Sequence, residues 1–163
     1  MMSMARQCNP KDVEDFRKYC FDHIDFESIF NQCEITNKRV RNYCLDKAID
    51  KTYMGYIMEK KAMDIVRSYG WKIAPITEEL DRIGVDILAV KGNVILPIQV
   101  KPQSILTTND IYAQRKRYNL YHGTDVKLMI YQGDEFMKFN GKFLVSPRTL
   151  FDANGNTITD YWF

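Results

Sequence analysis

Apolar residues along this chain recur at two periods, and the switch between them marks out the predicted elements. After Asn9-Pro10, the residues Val13, Phe16, Tyr19, Cys20 and Ile24 follow at three- and four-residue intervals and predict a helix. A second, shorter helix is expected from Phe26 to Cys33. Helical spacing returns from about Asn42 to Tyr69, with Gly70 placed as a C-terminal stop and Gly55 as a candidate break. The period then shortens. Gly84 to Lys101 reads as two strands around a tight turn at Gly92-Asn93, a pair that favours two-residue hairpin loops. The polar cluster Thr107-Thr108-Asn109-Asp110 can cap a helix running from Ile111 to about Leu120. Val126 to Tyr131 reads as a buried strand, and the segments 135–139 and 142–145 flank Asn140-Gly141, a strong hairpin signal, with another turn at Asn154-Gly155. These elements predict one α/β domain with an α-β-β-α core at residues 41–131, a helical N-terminal extension at 1–40 and β-hairpins at 132–163.

Composition narrows the class without naming a partner. Hydrophobic residues at 45%, aromatics at 13% and charged residues at 27% describe a globular chain that can bury a core, so wholesale disorder is excluded. The formal net charge of +2, from 23 basic and 21 acidic residues, is too small to imply nucleic acid by itself, and the distribution of charge has to carry that argument. The N-terminus Met1-Met2-Ser3-Met4-Ala5-Arg6 lacks a signal-peptide core and no segment approaches a membrane span, so a cytoplasmic protein is expected. Cys8, Cys20, Cys33 and Cys44 are widely spaced with no Cys-x-x-Cys pair, and are read as buried reduced thiols in preference to a zinc site that His23 could complete.

The candidate chemistry lies in the hairpin. With Gly92-Asn93 as the loop, Lys91 faces Val94, and the pairing extended outward sets Asp86 opposite Gln99 and Gly84 opposite Lys101. Side chains alternate along a strand, so Gln99 and Lys101 share a face. A carboxylate, an amide oxygen and an ammonium then converge, beside a glycine that leaves room next to the lysine. Singly, Asp86 could be a solvated strand-edge aspartate and Lys101 an edge-protecting lysine. Together, inside an otherwise apolar hairpin, they need a partner, and a bound cation would provide one.

Asp86 followed by Gln99-x-Lys101 resembles the core motif of the PD-(D/E)XK nuclease superfamily, in the variant where glutamine replaces the second acid. Upstream, Gly55-Tyr56-Ile57-Met58-Glu59-Lys60-Lys61-Ala62 and Ser68-Tyr69-Gly70-Trp71 look like the helix that carries that superfamily's additional glutamate and ends in a glycine turn. The layout from Gly55 to Lys101 is similar to that of the Mrr-type restriction nucleases. Two departures stand out. Val85 occupies the place of the motif's proline, and Gln99 is neutral where an acid is usual.

The resemblance implies a restriction-endonuclease-like fold with a mixed central sheet and hydrolysis of phosphodiester bonds. It implies Glu59, Asp86, Gln99 and Lys101 as catalytic residues. It also implies Mg²⁺, with Mn²⁺ as substitute, held by Glu59 through water, Asp86, the Gln99 side-chain oxygen and the Val100 carbonyl. Gln103 and Ser104, just past the lysine, are candidate DNA contacts. So is the densest basic run of the chain, Gln114, Arg115, Lys116, Arg117 and Tyr118, whose Gln-x-x-x-Tyr spacing resembles an element of RecB-type nucleases. The expected partner is double-stranded DNA cut by a homodimer, since one small active site cuts one strand. A Holliday-junction resolvase or repair nuclease, and a non-catalytic DNA-binding protein with a degenerate metal site, remain open alternatives.

Overall fold

The computed structural model describes residues 1–104, 126–139, 142–143, 150–151 and 157–158. It is a mixed α/β structure whose main sheet has five strands in the order β1-β2-β3-β4-β5, namely Lys72–Ala74, Ile87–Lys91, Val94–Pro102, Lys127–Gln132 and Glu135–Phe136. The β3–β4 pair is parallel and the other pairs are antiparallel, so the sheet is mixed. This is consistent with a restriction-endonuclease-like fold. Two further strand pairs, β6–β7 (Lys138–Phe139 with Lys142–Phe143) and β8–β9 (Leu150–Phe151 with Thr157–Ile158), bracket the two glycine turns expected from the sequence. The turn residues themselves, the expected helix from Ile111 to Leu120 and its basic run 114–118, lie outside the described residues.

The chain divides into two compact units, residues 1–57 and 58–163, with the boundary inside one helix. The first unit comprises α1 (Met2–Cys8), α2 (Val13–His23), α3 (Phe26–Gln32) and the N-terminal half of α4 (Lys38–Ser68). Its core is Ala5, Phe16, Cys20, Phe30, Leu45, Ile49 and Tyr56. The expected helix at Asn9-Pro10 starts later, at Val13, because Asp12 caps it by accepting the Asp15 amide at 2.8 Å. Asn9 instead closes α1 in a left-handed conformation (φ 48°), a helix that the sequence reading did not anticipate. The α3 helix falls where it was expected, also with an aspartate cap, Asp25.

The expected break at Gly55 does not occur. Helix α4 runs unbroken for 31 residues, and a Cβ on Gly55 would come within 2.7 Å of the Met2 Cε. Gly55 therefore sits in close contact with the tip of the Met2 side chain and makes no kink. The four cysteines are free, but only Cys20 is fully buried; Cys33 and Cys44 are exposed, against the expectation of buried thiols. Cys33 closes α3 and Cys44 lies on the outer side of α4, positions where the helical period turns a side chain to solvent.

In the second unit the far half of α4 contributes Met58, Ala62 and Val66 to a core shared with Ile87, Ala89, Leu96, Ile98, Val100, Met129 and Tyr131 of the sheet. Fully burying one such aliphatic side chain contributes about 1.5–3 kcal/mol, so this cluster dominates the packing. The helix ends at Gly70 (φ 80°): the Gly70 amide bonds the Arg67 carbonyl at 2.9 Å and the Trp71 amide reaches the Val66 carbonyl at 3.4 Å. This is a Schellman cap, and Trp71 packs on the same cluster as Val66. Between this cap and the hairpin lie β1 and the short helix α5 (Glu78–Arg82), two elements absent from the expected α-β-β-α order.

Candidate active site

A second Schellman cap delivers Asp86 to the sheet. Thr77 caps α5 by accepting the Leu80 amide at 3.3 Å; at the other end Gly84 (φ 89°) donates to the Asp81 carbonyl at 3.0 Å, and Val85 donates to the Leu80 carbonyl at 2.9 Å. Val85 and Leu80 share a buried cluster with Ile83 and Val126. This accounts for the departure from proline at position 85, since proline has no amide hydrogen with which to close the cap. It also corrects the expected pairing of Gly84 with Lys101. The β2 strand begins at Ile87, and Gly84 is occupied in ending α5 with a positive φ, so it does not face the lysine across the sheet.

The hairpin register is the expected one. Lys91 pairs with Val94 and Ile87 with Ile98, around a turn with Gly92 at φ 59°. One step beyond the last pair, Asp86 grips β3 on both sides of Gln99. Its amide donates to the Ile98 carbonyl at 2.9 Å, and its Oδ2 accepts the Val100 amide at 2.8 Å. Lys101 Nζ lies 3.8 Å from the same Oδ2, with the lysine side chain 25% exposed. Ile98 and Val100 pack into the α4 cluster, so alternation turns Gln99 and Lys101 to the other face of β3. A residue's N–H and C=O leave an extended strand on the same side, which directs the Val100 carbonyl toward Asp86 as well.

Glu59, Asp86 and Gln99 are the buried polar or charged residues among the described ones, at 4%, 7% and 1% exposure. Glu59 lies on the buried side of α4, not at its rim; its neighbours Tyr56 and Ala62 are buried while Lys60, Asp64 and Arg67 are exposed, as the helical spacing predicts. The Gln99 Oε1 atom is buried and accepts no hydrogen bond from the described residues, although the residue makes other interactions.

Tyr131, near the end of β4, senses both Glu59 and Asp86. Burial pushes its phenol above the ordinary tyrosine range, and the carboxylates of Glu59 and Asp86 push it in the same direction, so both lie within electrostatic reach of one hydroxyl. Its ring packs edge-on against Phe136, with centroids 6.2 Å apart, and its backbone is in parallel register with Pro102, next to Lys101. The sequence offered one signal for it, a polar-tipped aromatic closing the apolar run from Val126.

Gln103 and Ser104 follow β3 in a single helical turn, half-buried and exposed respectively. His23 is used locally, with Nδ1 2.9 Å from the Tyr19 carbonyl and its ring stacked on Tyr19. Among the described residues no three His, Cys, Asp or Glu side chains form a metal-binding group. The direct contacts that define the site join Asp86 to Val100 and to Lys101.

Neither a curated protein nor a solved structure gives a significant match to the chain. A family model does match: residues 27–139, more than half of the chain and the whole span from Glu59 through Lys101 to Tyr131, fit the MjaI restriction endonuclease. With a mixed sheet, a helix bearing a buried glutamate and an aspartate clamped across the Gln-x-Lys strand already in place, the chain belongs to the MjaI restriction endonuclease family, a family of DNA endonucleases.

Proposed function

We propose that this protein is a Mg²⁺-dependent endonuclease of a restriction system that hydrolyses double-stranded DNA as a cytoplasmic homodimer. The observation that carries this reading is the Asp86 clamp: a buried carboxylate fixed by the Val100 amide, straddling Gln99, with Lys101 Nζ at 3.8 Å. Glu59, Asp86, the Gln99 side-chain oxygen and the Val100 carbonyl are the groups that would hold the metal. When bound, the ion supplies an acidified water and neutralises charge on the scissile phosphate. Asp86 is preorganised for this, because the Val100 amide and its own backbone bond leave its carboxylate one position. Lys101 holds the attacking water, takes part in its deprotonation and stabilises negative charge on the phosphate. Its quarter exposure leaves Nζ open to a substrate group. Dimerisation follows from need, since one such site cuts one strand and two symmetric copies cut both.

One observation favours a second reading, a DNA-binding protein with a degenerate site: the neutral Gln99 lowers the negative charge available to a cation. Turnover separates the two. Purified protein incubated with plasmid, phage and four-way-junction DNA, with and without Mg²⁺, is expected to give discrete Mg²⁺-dependent fragments from linear or plasmid duplex. Lys101→Ala is expected to lower cleavage by about 10³-fold with folding intact. Full cleavage by Lys101→Ala would remove the lysine from the mechanism. Preference for the junction would reassign the protein as a resolvase, and binding without any cleavage would favour the degenerate module.

A further inference from the structure

The start of α4 runs against the usual charge preference of a helix. Asn37 caps it, its Oδ1 accepting the Arg39 and Val40 amides at 2.9 and 3.3 Å, yet the first turn carries Lys38 and Arg39 and no acidic residue. Cations at the positive end of a helix are unfavourable unless an anion comes to meet them. Arg41, a little further on, is fully engaged inward with Glu27, Asn31 and the Ile35 carbonyl, and lies over the Phe30 ring. The cations on the outer face are not engaged in this way.

At 100° per residue, Arg39, Tyr43, Lys47 and Lys51 form a four-residue stripe with Val40 and Met54 inside it. The stripe lies opposite the face that buries Leu45, Ile49 and Tyr56. It is open to solvent, with Tyr43 64% exposed, and Lys47 Nζ sits 5.7 Å over the Tyr43 ring. Of the acids of this stretch, Asp46 lies at the edge of the stripe and Asp50 within it, next to Arg39 in angle around the helix, and both are drawn to Arg17 of α2. Arg39, Lys47 and Lys51 form no ion pair among the described residues. A merely solvated helix face usually mixes signs evenly; here the one acid within the stripe, Asp50, faces Arg17, and three cations remain, interleaved with an aromatic and apolar tips over roughly 22 Å of helix.

We propose that this outer face of α4, with Arg39, Tyr43, Lys47 and Lys51, contacts the phosphate backbone of double-stranded DNA, in addition to the candidate contacts named from the sequence. The polyanion is identified as DNA on the nuclease reading above. Charge complementarity supports the choice: Lys47 and Lys51 are one helical turn apart, about 6 Å, and Arg39 two turns from Lys47, about 12 Å, close to two and four nucleotide steps of about 3.4 Å on one strand. Contacts of this kind position a duplex without reading its sequence.

The test compares two variants of equal charge change in the full chain: Arg39→Ala/Lys47→Ala/Lys51→Ala, and the control Lys11→Ala/Lys18→Ala/Lys72→Ala, all at exposed positions. Binding of a short fluorescein-labelled duplex is titrated in Mg²⁺-free buffer across a salt series. The stripe variant is expected to bind about tenfold more weakly at moderate salt, with a log–log salt slope reduced by roughly 2 to 3, while the control keeps both. Equal effects of the two variants overturn the proposal, as does native protein that binds anionic vesicles but no duplex. Alkylation of native protein gives a measurement that needs no variant: duplex should slow reaction at Cys44, beside the stripe, more than at Cys33, and equal rates with and without duplex count against the proposal. Mg²⁺-dependent cleavage by native protein, run in parallel, reports separately on the nuclease reading. Cleavage together with an unaffected stripe variant sinks the stripe alone.

Discussion

The two compact units of this chain bury different things. In residues 1–57 the buried core residues are apolar, with Phe16, Cys20 and Ile49 fully buried; charged side chains such as Arg41, over the Phe30 ring, and Arg17, paired with Asp46 and Asp50, stay part-exposed at its border. In residues 58–163 an equally apolar cluster is accompanied by Glu59, Asp86 and Gln99, the buried polar residues of the described chain. Buried charge is costly unless it is paired or hydrogen-bonded, so a chain that keeps one core free of it and concentrates it in the other is holding it for a purpose. The helical unit shows what packing alone would have selected. On the nuclease reading, the sheet unit is where chemistry overrode it.

Three substitutions break or sharpen that contrast. The largest effect is expected in the apolar unit, where Ile49→Ala leaves a cavity and should destabilise by about 3 kcal/mol, read as a loss of roughly 6–12 °C in Tm, without altering cleavage well below the transition. A comparable loss of activity at low temperature would show that the helical core tunes the site directly. Gln99→Glu comes next. A third buried carboxylate beside Asp86 should cost about 1–2 kcal/mol in metal-free buffer, and Mg²⁺ should restore it; a Tm indifferent to Mg²⁺ in this variant would argue against a cation at the site.

Tyr131→Phe has the smallest expected effect and concerns pH. The folded-state pKa of Tyr131 is raised, first by burial and then by Glu59 and Asp86, so the folded chain keeps a proton that the unfolded chain releases. The resulting stability is complete below the ordinary phenol pKa of about 10 and is lost as pH rises through the folded-state value. Native protein should therefore lose Tm more steeply above about pH 10 than Tyr131→Phe does. Parallel curves would place the phenol outside the reach of the two carboxylates.

Much of the sheet unit was legible because its signals are local. The Gly92-Asn93 turn fixed the register, the register put Asp86 beside Gln99, and the helical period put Glu59 on the buried side of α4. The failures came where a distant partner decides. Gly55 looks like a helix breaker until Met2 is seen against it, and no local pattern reveals that contact. Gly84 was read as space beside a lysine because its pairing was extrapolated through a residue that a five-residue helix needs for its cap. That helix and the three-residue β1 are too short for a period to register. Tyr131 was read as a strand residue, since only the fold brings its hydroxyl toward carboxylates from two other elements.

The Asp86 clamp has a consequence for quality control in the cell. The two hydrogen bonds of Asp86, from its amide to the Ile98 carbonyl and from the Val100 amide to its carboxylate, also tie the entry of β2 to its place on β3. A hairpin formed one residue out of register would turn every side chain to the opposite face, which removes Asp86 from Gln99 and separates it from Lys101. On the nuclease reading, misfolded chains are therefore inert, and the ability to cut DNA is conferred only on molecules that have passed a folding check built into the site itself.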